Sequence, residues 1–133
     1  MKLLIDSGSV CSILRSDTVK RLGVSIQPLE VSDITNFRAA NGSNIAILGT
    51  VEIDIQVEGL TFPHIFYVVD NLTVPGLVGT NFLTATMSQI DFQRGLMSMF
   101  DGTIQTRLIH STDTAHSGMI YKSVEIEPHT EAL

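Results

Sequence analysis

The chain has 133 residues, of which 44% are hydrophobic and 17% charged, which fits one compact unit and excludes a disordered or collagen-like chain. Eight basic against fourteen acidic residues leave a net charge of −6, which argues against nucleic acid as a partner because neither counterion release nor long-range attraction is available. Cys11 is the one cysteine, so no internal disulfide forms, which fits a reducing compartment or simply no need for a disulfide; the setting expected is intracellular, in the cytoplasm.

Residues 3–6 read as a short buried strand, and Ser7-Gly8-Ser9 after it as a turn. Asp6 also ends the opening apolar stretch far short of a signal-peptide core, and no segment nears the roughly 18 apolar residues of a membrane span. Ser16 is placed to cap a short helix carrying Val19 and Leu22, with Gly23 to stop it. Between residues 34 and 48, Asn41-Gly42 accepts the positive φ angles of a tight turn and predicts a projecting hairpin.

From 51 to 58 the pattern alternates strictly, with Val51, Ile53, Ile55 and Val57 on one face and Glu52, Asp54, Gln56 and Glu58 on the other. That predicts a strand with one wet face. Glu58-Gly59 turns the chain into residues 60–69, a more deeply buried strand, which residues 71–75 break. Next, Leu77-Val78-Gly79-Thr80-Asn81-Phe82-Leu83 reads as two apolar residues, a glycine turn and a short helix.

Residues 90–92, 96–100 and 104–109 form short strands punctuated by Arg94-Gly95 and Asp101-Gly102, residues 110–118 are polar and expected to be mobile, and residues 120–126 return as a last strand. Sheet dominates. The division expected is a domain over 1–109, followed by a polar linker and C-terminal strand over 110–133. Leu133 carries no evident stop signal, which suits one piece of a longer product.

Asp-Ser-Gly alone is a weak signal, but here it follows an apolar strand and precedes Ser12-Ile13. The run Leu4-Ile5-Asp6-Ser7-Gly8-Ser9-Val10-Cys11-Ser12-Ile13 resembles the catalytic loop of the retropepsin-like aspartic proteases, and residues 77–83 resemble that family's second hallmark, two aliphatic residues, glycine and a short helix. The region around Ala40-Asn41-Gly42-Ser43, with the alternating strand after it, resembles the flap of proteases from Ty3/gypsy-type retroelements.

The resemblance implies an all-β, retropepsin-like closed barrel, the acid protease fold, with one or two short helices in a single-lobe protomer. It also implies an aspartic endopeptidase that uses neither metal nor organic cofactor, with an extended peptide or polyprotein as substrate. Peptide hydrolysis by this route needs one carboxylate to take a proton from water while a second, protonated, hydrogen-bonds the scissile carbonyl. The chain has no second Asp-(Ser/Thr)-Gly, since Asp101-Gly102-Thr103 has the wrong order. The second carboxylate must therefore come from another copy, which makes the enzyme a homodimer with Asp6 on its two-fold axis.

By the same resemblance Asp6 is catalytic and Ser7, Gly8, Ser12 and Asn81 support its loop: Gly8 admits close backbone approach, Ser7 reaches across the dimer axis, and Asn81 bonds near Ser12. Ser9, Val10 and Cys11 would line the cleft, and Asn41, Gly42 and Ser43 would form the flap tip. Only five residues precede Asp6 where the family carries a longer segment, which suits a truncated N-terminus, and a weak dimer is expected if it is truncated. The rival reading is an inactive member serving as a dimerisation or peptide-binding module. His64, His110, His116 and His129 show no ligand-like spacing and read as surface or strand residues.

Overall fold

In a computed structural model, described over residues 1–30, 46–110 and 119–129, eleven strands and two short helices follow one another. They are β1 (Lys2–Ile5), β2 (Ile13–Arg15), α1 (Ser16–Leu22), β3 (Ile47–Val57), β4 (Leu60–Val69), β5 (Gly76–Val78), α2 (Thr80–Ala85), β6 (Gln89–Asp91), β7 (Leu96–Met99), β8 (Ile104–Arg107), β9 (Ile109–His110), β10 (Ile120–Ser123) and β11 (Glu125–Pro128). The hairpin expected around Asn41-Gly42 and the polar stretch after residue 110 fall largely outside the described residues.

Eight strands form one sheet in the order β11-β3-β4-β2-β5-β1-β10-β9, and β6-β7-β8 form a second. The all-β expectation with two short helices holds. The closed barrel does not appear among the described residues: β11 pairs only with β3, β9 pairs only with β10, and these two edges do not meet.

The alternating stretch behaves as its pattern dictates. Val51, Ile53, Ile55 and Val57 are each at most 4% exposed, and burying four such side chains stabilises the fold by about 1.5–3 kcal/mol apiece. Glu58 and Gly59, both at positive φ, make the two-residue turn that pairs Val57 with Leu60. The opposite face is less wet than expected, because β11 lies beside β3 and brings His129 to Asp54. Residues 60–69 are deeply buried only from Phe66 onward.

Two further expectations change. Ser16 lies inside α1, not at its cap, and its hydroxyl donates to Asp70 Oδ1 at 2.6 Å; Gly23, at φ 71°, does end the helix. The single last strand is two, because the chain breaks at Val124. There the backbone exchanges bonds with Met1: Val124 N–H donates to the Met1 carbonyl, and the terminal amine donates to the Val124 carbonyl, both at 2.8 Å. Those bonds release β10 from β11, and the two strands join distant parts of the sheet.

The main core gathers Leu3, Leu14, Ile53, Ile55, Phe66 and Val68 from the large sheet with Met97 and Met99 from the small one. A smaller cluster of Leu4, Ile13, Val69, Val74 and Leu77 lies behind the turn that follows β1. Leu3 and Leu4 point to opposite faces of β1 and so belong to different clusters. That strand enters the loop after it with both faces packed.

Candidate active site

Asp6 follows β1 directly. β1 runs parallel to β5, with Leu4 beside Leu77 and Ile5 beside Val78, and the ladder continues one step further as Asp6 N–H donates to the Val78 carbonyl at 3.0 Å. Ser9 N–H then donates to the Asp6 carbonyl at 3.2 Å, closing a turn over Ser7 and Gly8. Inside it Gly8 N–H donates to Asp6 Oδ1 at 3.0 Å. A Cβ at Gly8 would stand 3.2 Å from that oxygen, tight enough that a side chain there would crowd the carboxylate.

The rest of the loop is fastened from behind by α2. Thr80 N–H donates to the Ser9 carbonyl at 2.8 Å and Asn81 N–H to the Val10 carbonyl at 3.1 Å. These are backbone donors that a helix start cannot satisfy internally. Gly79 makes the approach possible: a Cβ there would lie 2.5 Å from the carbonyl oxygens of both Ser9 and Cys11. Its φ of −98° is ordinary, so the requirement is space, not backbone conformation.

Ser12 is completely buried and joins three elements. Its oxygen accepts Gly79 N–H at 3.1 Å, its hydroxyl donates to Asn81 Oδ1 at 2.9 Å, and His64 Nε2 lies 2.9 Å away. Asn81 Oδ1 also accepts Phe82 N–H at 2.8 Å. Ser12, Asn81, Gly8 and Asp6 are therefore brought into one connected loop assembly. Ser9 is buried, with its hydroxyl donated to the Cys11 carbonyl, Val10 is half exposed, and Cys11 packs partly against the smaller core cluster. Ser7 is exposed, and Asn41, Gly42 and Ser43 lie outside the described residues.

His64 is the member that sequence reasoning missed. It sits on the inner face of β4 between Phe62 and Phe66, opposite Ile53, with the rings of Phe66 and Phe82 edge-on at 5.2 Å. Burial holds its pKa below the ordinary value, and the nearby Asn81 side chain, which favours the protonated ring, partly offsets this. The alternation of Phe62, His64, Phe66 and Val68 is the signal that could have placed it inward.

Beside Asp6 and Ser7 lies a recess of about 270 Å³, walled by Leu4, Ile90, Phe92 and Met119, and Phe92 is 64% exposed. Among the described residues, no three His, Cys, Asp or Glu side chains gather in a way that could hold a metal ion, and no helix is long and apolar enough to cross a membrane.

Among curated proteins nothing matches this chain. Among solved structures, the retroviral protease-like domain of Ddi1 from Leishmania major is similar, with a TM-score of 0.62 and 21% identity over 82% of this chain and 84% of that one. At that identity the likeness speaks for the fold alone, which is retropepsin-like. The family described as "gag-polyprotein putative aspartyl protease" matches residues 1–85, a span running from β1 through α2. The chain thus belongs to this family of retroviral-type aspartyl proteases.

Proposed function

We propose that the protein is an aspartic endopeptidase acting as a homodimer, in which Asp6 from each of two copies forms the catalytic pair. The observation that carries this reading is the Asp6 carboxylate itself. It is held by Gly8 N–H at the end of a packed strand pair, with no other acidic residue in residues 1–16. One such group can accept a proton from water but cannot also donate to the scissile carbonyl.

Paired across a two-fold axis, the carboxylates would share a proton. Two charges about 3 Å apart at an effective dielectric of about 20 repel by roughly 5–6 kcal/mol, about four pKa units. Double deprotonation is then rare near neutral pH, and activity follows a bell-shaped profile. Water attacks the carbonyl carbon while the ionised Asp6 takes its proton and the protonated Asp6 hydrogen-bonds the carbonyl oxygen; the proton taken from water then passes to the amide nitrogen as the C–N bond breaks, which restores one ionised and one protonated Asp6.

In the dimer Ser7 would bond across the axis, while Gly8, Ser12 and Asn81 keep the loop in shape. Ser9, Val10 and Cys11 would form the cleft floor, with Val10 the most open to a substrate. Asn41, Gly42 and Ser43 would close over an extended peptide and add strand-like hydrogen bonds. The substrate class proposed is an extended segment of a polyprotein.

Asp6→Asn tests this directly. The variant should keep the wild-type thermal transition and lose cleavage of a peptide library by at least about a thousandfold. Cleavage that survives in Asp6→Asn would sink the proposal, whereas peptide binding without turnover in the wild type would leave only a binding module.

A further inference from the structure

The hydrogen bonds around Ser12 assign their own protons. Asn81 Oδ1 already accepts Phe82 N–H, so this atom is an acceptor, and the Ser12 hydroxyl proton points to it. Gly79 N–H fills one position on the Ser12 oxygen. His64 Nε2, 2.9 Å away, meets an oxygen whose only proton is committed elsewhere, so Nε2 must carry a proton and donate. Ser12 then has one bond donated and two accepted, the full capacity of a hydroxyl.

We propose that His64 is a positioning residue for the Asp6 loop, donating from Nε2 to Ser12 and thereby fixing the junction at which Gly79 and Asn81 grip the loop carbonyls. The inference rests on the protease reading for its effect on turnover, but not for its effect on loop order. The His64 hydrogen bond runs to Ser12 and not to Asp6. It acts through Ser12, then through the Gly79 and Asn81 backbone that leads to Ser9 and Val10.

The surroundings explain why a neutral donor is suited to the place. Phe66 and Phe82 flank the ring, Ile53 stands opposite on β3, and Asn81 reaches it from α2. Asp54 and Glu52, the acidic residues nearest along β3, belong to the other face, where they meet His129. No charged group among the described residues offsets a second proton on His64. A lysine there would bring an uncompensated charge, and an aliphatic residue would leave one Ser12 position empty.

The test compares His64→Leu and His64→Phe, which remove the donor, with His64→Gln, which can return an N–H near the position of Nε2. Donor loss should speed hydrogen exchange at the Gly79, Thr80 and Asn81 amides about tenfold, the equivalent of one net hydrogen bond, and lower kcat by a similar factor with KM little changed. Exchange along the β3–β4 ladder should not move. His64→Gln should recover most of both losses.

A role confined to packing predicts the opposite pattern: His64→Phe would behave as wild type, and His64→Gln would be the worst variant. Should the donor-free variants fail to fold, nitrogen NMR of the wild-type ring at neutral pH decides, because a proton on Nδ1 with bare Nε2 would overturn the assignment. If the wild type cleaves nothing, the protease reading fails, and the amide exchange at Gly79 still judges His64.

Discussion

The two faces of the β3–β4 hairpin each engage a histidine, and they use it in different ways. On the inner face His64 stands among aromatic rings and gives its proton to a buried serine. On the outer face His129, just beyond β11, lies 2.6 Å from Asp54 and 3.6 Å from Glu52, at a partly open edge. A step of one residue along β3, from Ile53 to Asp54, changes which set of rules applies. Inside, a missing partner leaves a desolvated group unsatisfied; outside, where Asp54 and His129 keep part of their surface open, water reaches some of what is lost.

That contrast is broken most severely at Gly79. Gly79→Ala places a methyl 2.5 Å from two backbone carbonyl oxygens, and backbone cannot step aside as a flexible side chain can. The expected loss is about 3 kcal/mol or more, read from the denaturation midpoint. An alanine variant of wild-type stability would show that the loop and α2 have slack that the geometry denies.

Ser12→Ala comes next. It strips the Gly79 N–H and the His64 donor of their acceptor at a fully buried position, for a cost of about 1–3 kcal/mol. Ser12→Thr keeps the hydroxyl and should recover most of it. If alanine and threonine are equally stable, the hydroxyl is not what fastens this junction.

Much of this arrangement is legible in the sequence because it is local. The period-two pattern at residues 51–57 determines which face of β3 is buried, and Asp6-Ser7-Gly8 announces a carboxylate at a strand end because three adjacent residues carry the signal. His64 is not announced in that way. Its meaning depends on Ser12, 52 positions earlier, and on Asn81 in another element, so only the fold supplies the partners. The split of the last strand is hidden for the same reason, since the bond that divides it joins Val124 to Met1, 123 positions apart. Ser16 looks like a cap because capping is a local rule, yet Asp70 from beyond β4 takes its hydroxyl.

The inner histidine also sets a pH signature. Its folded pKa lies below the ordinary 6.5 through burial, so the unfolded chain binds the proton first as acid is added. The His64 contribution to stability is therefore complete above that ordinary value and declines as pH falls from it toward the lower folded value. His64→Gln should remove this component, flattening the stability curve in that window. A curve of unchanged shape would place the responsible proton elsewhere.

The smallest effect is expected on the outer face. Asp54→Asn keeps the size of the side chain and a hydrogen-bonding oxygen for His129 while deleting the charge, and Glu52 stays nearby. Because His129 and Glu52 are both open to solvent in part, the change should cost under about 1 kcal/mol. Salt should shrink it further, since screening weakens exposed pairs far more than a buried neutral hydrogen bond. A double-mutant cycle with His129→Gln isolates the pair from the rest of the β3–β11 ladder. A coupling energy of about 3 kcal/mol would mean that β11 shields these groups as completely as the core shields Ser12, and the two faces of the hairpin would then have to be treated alike.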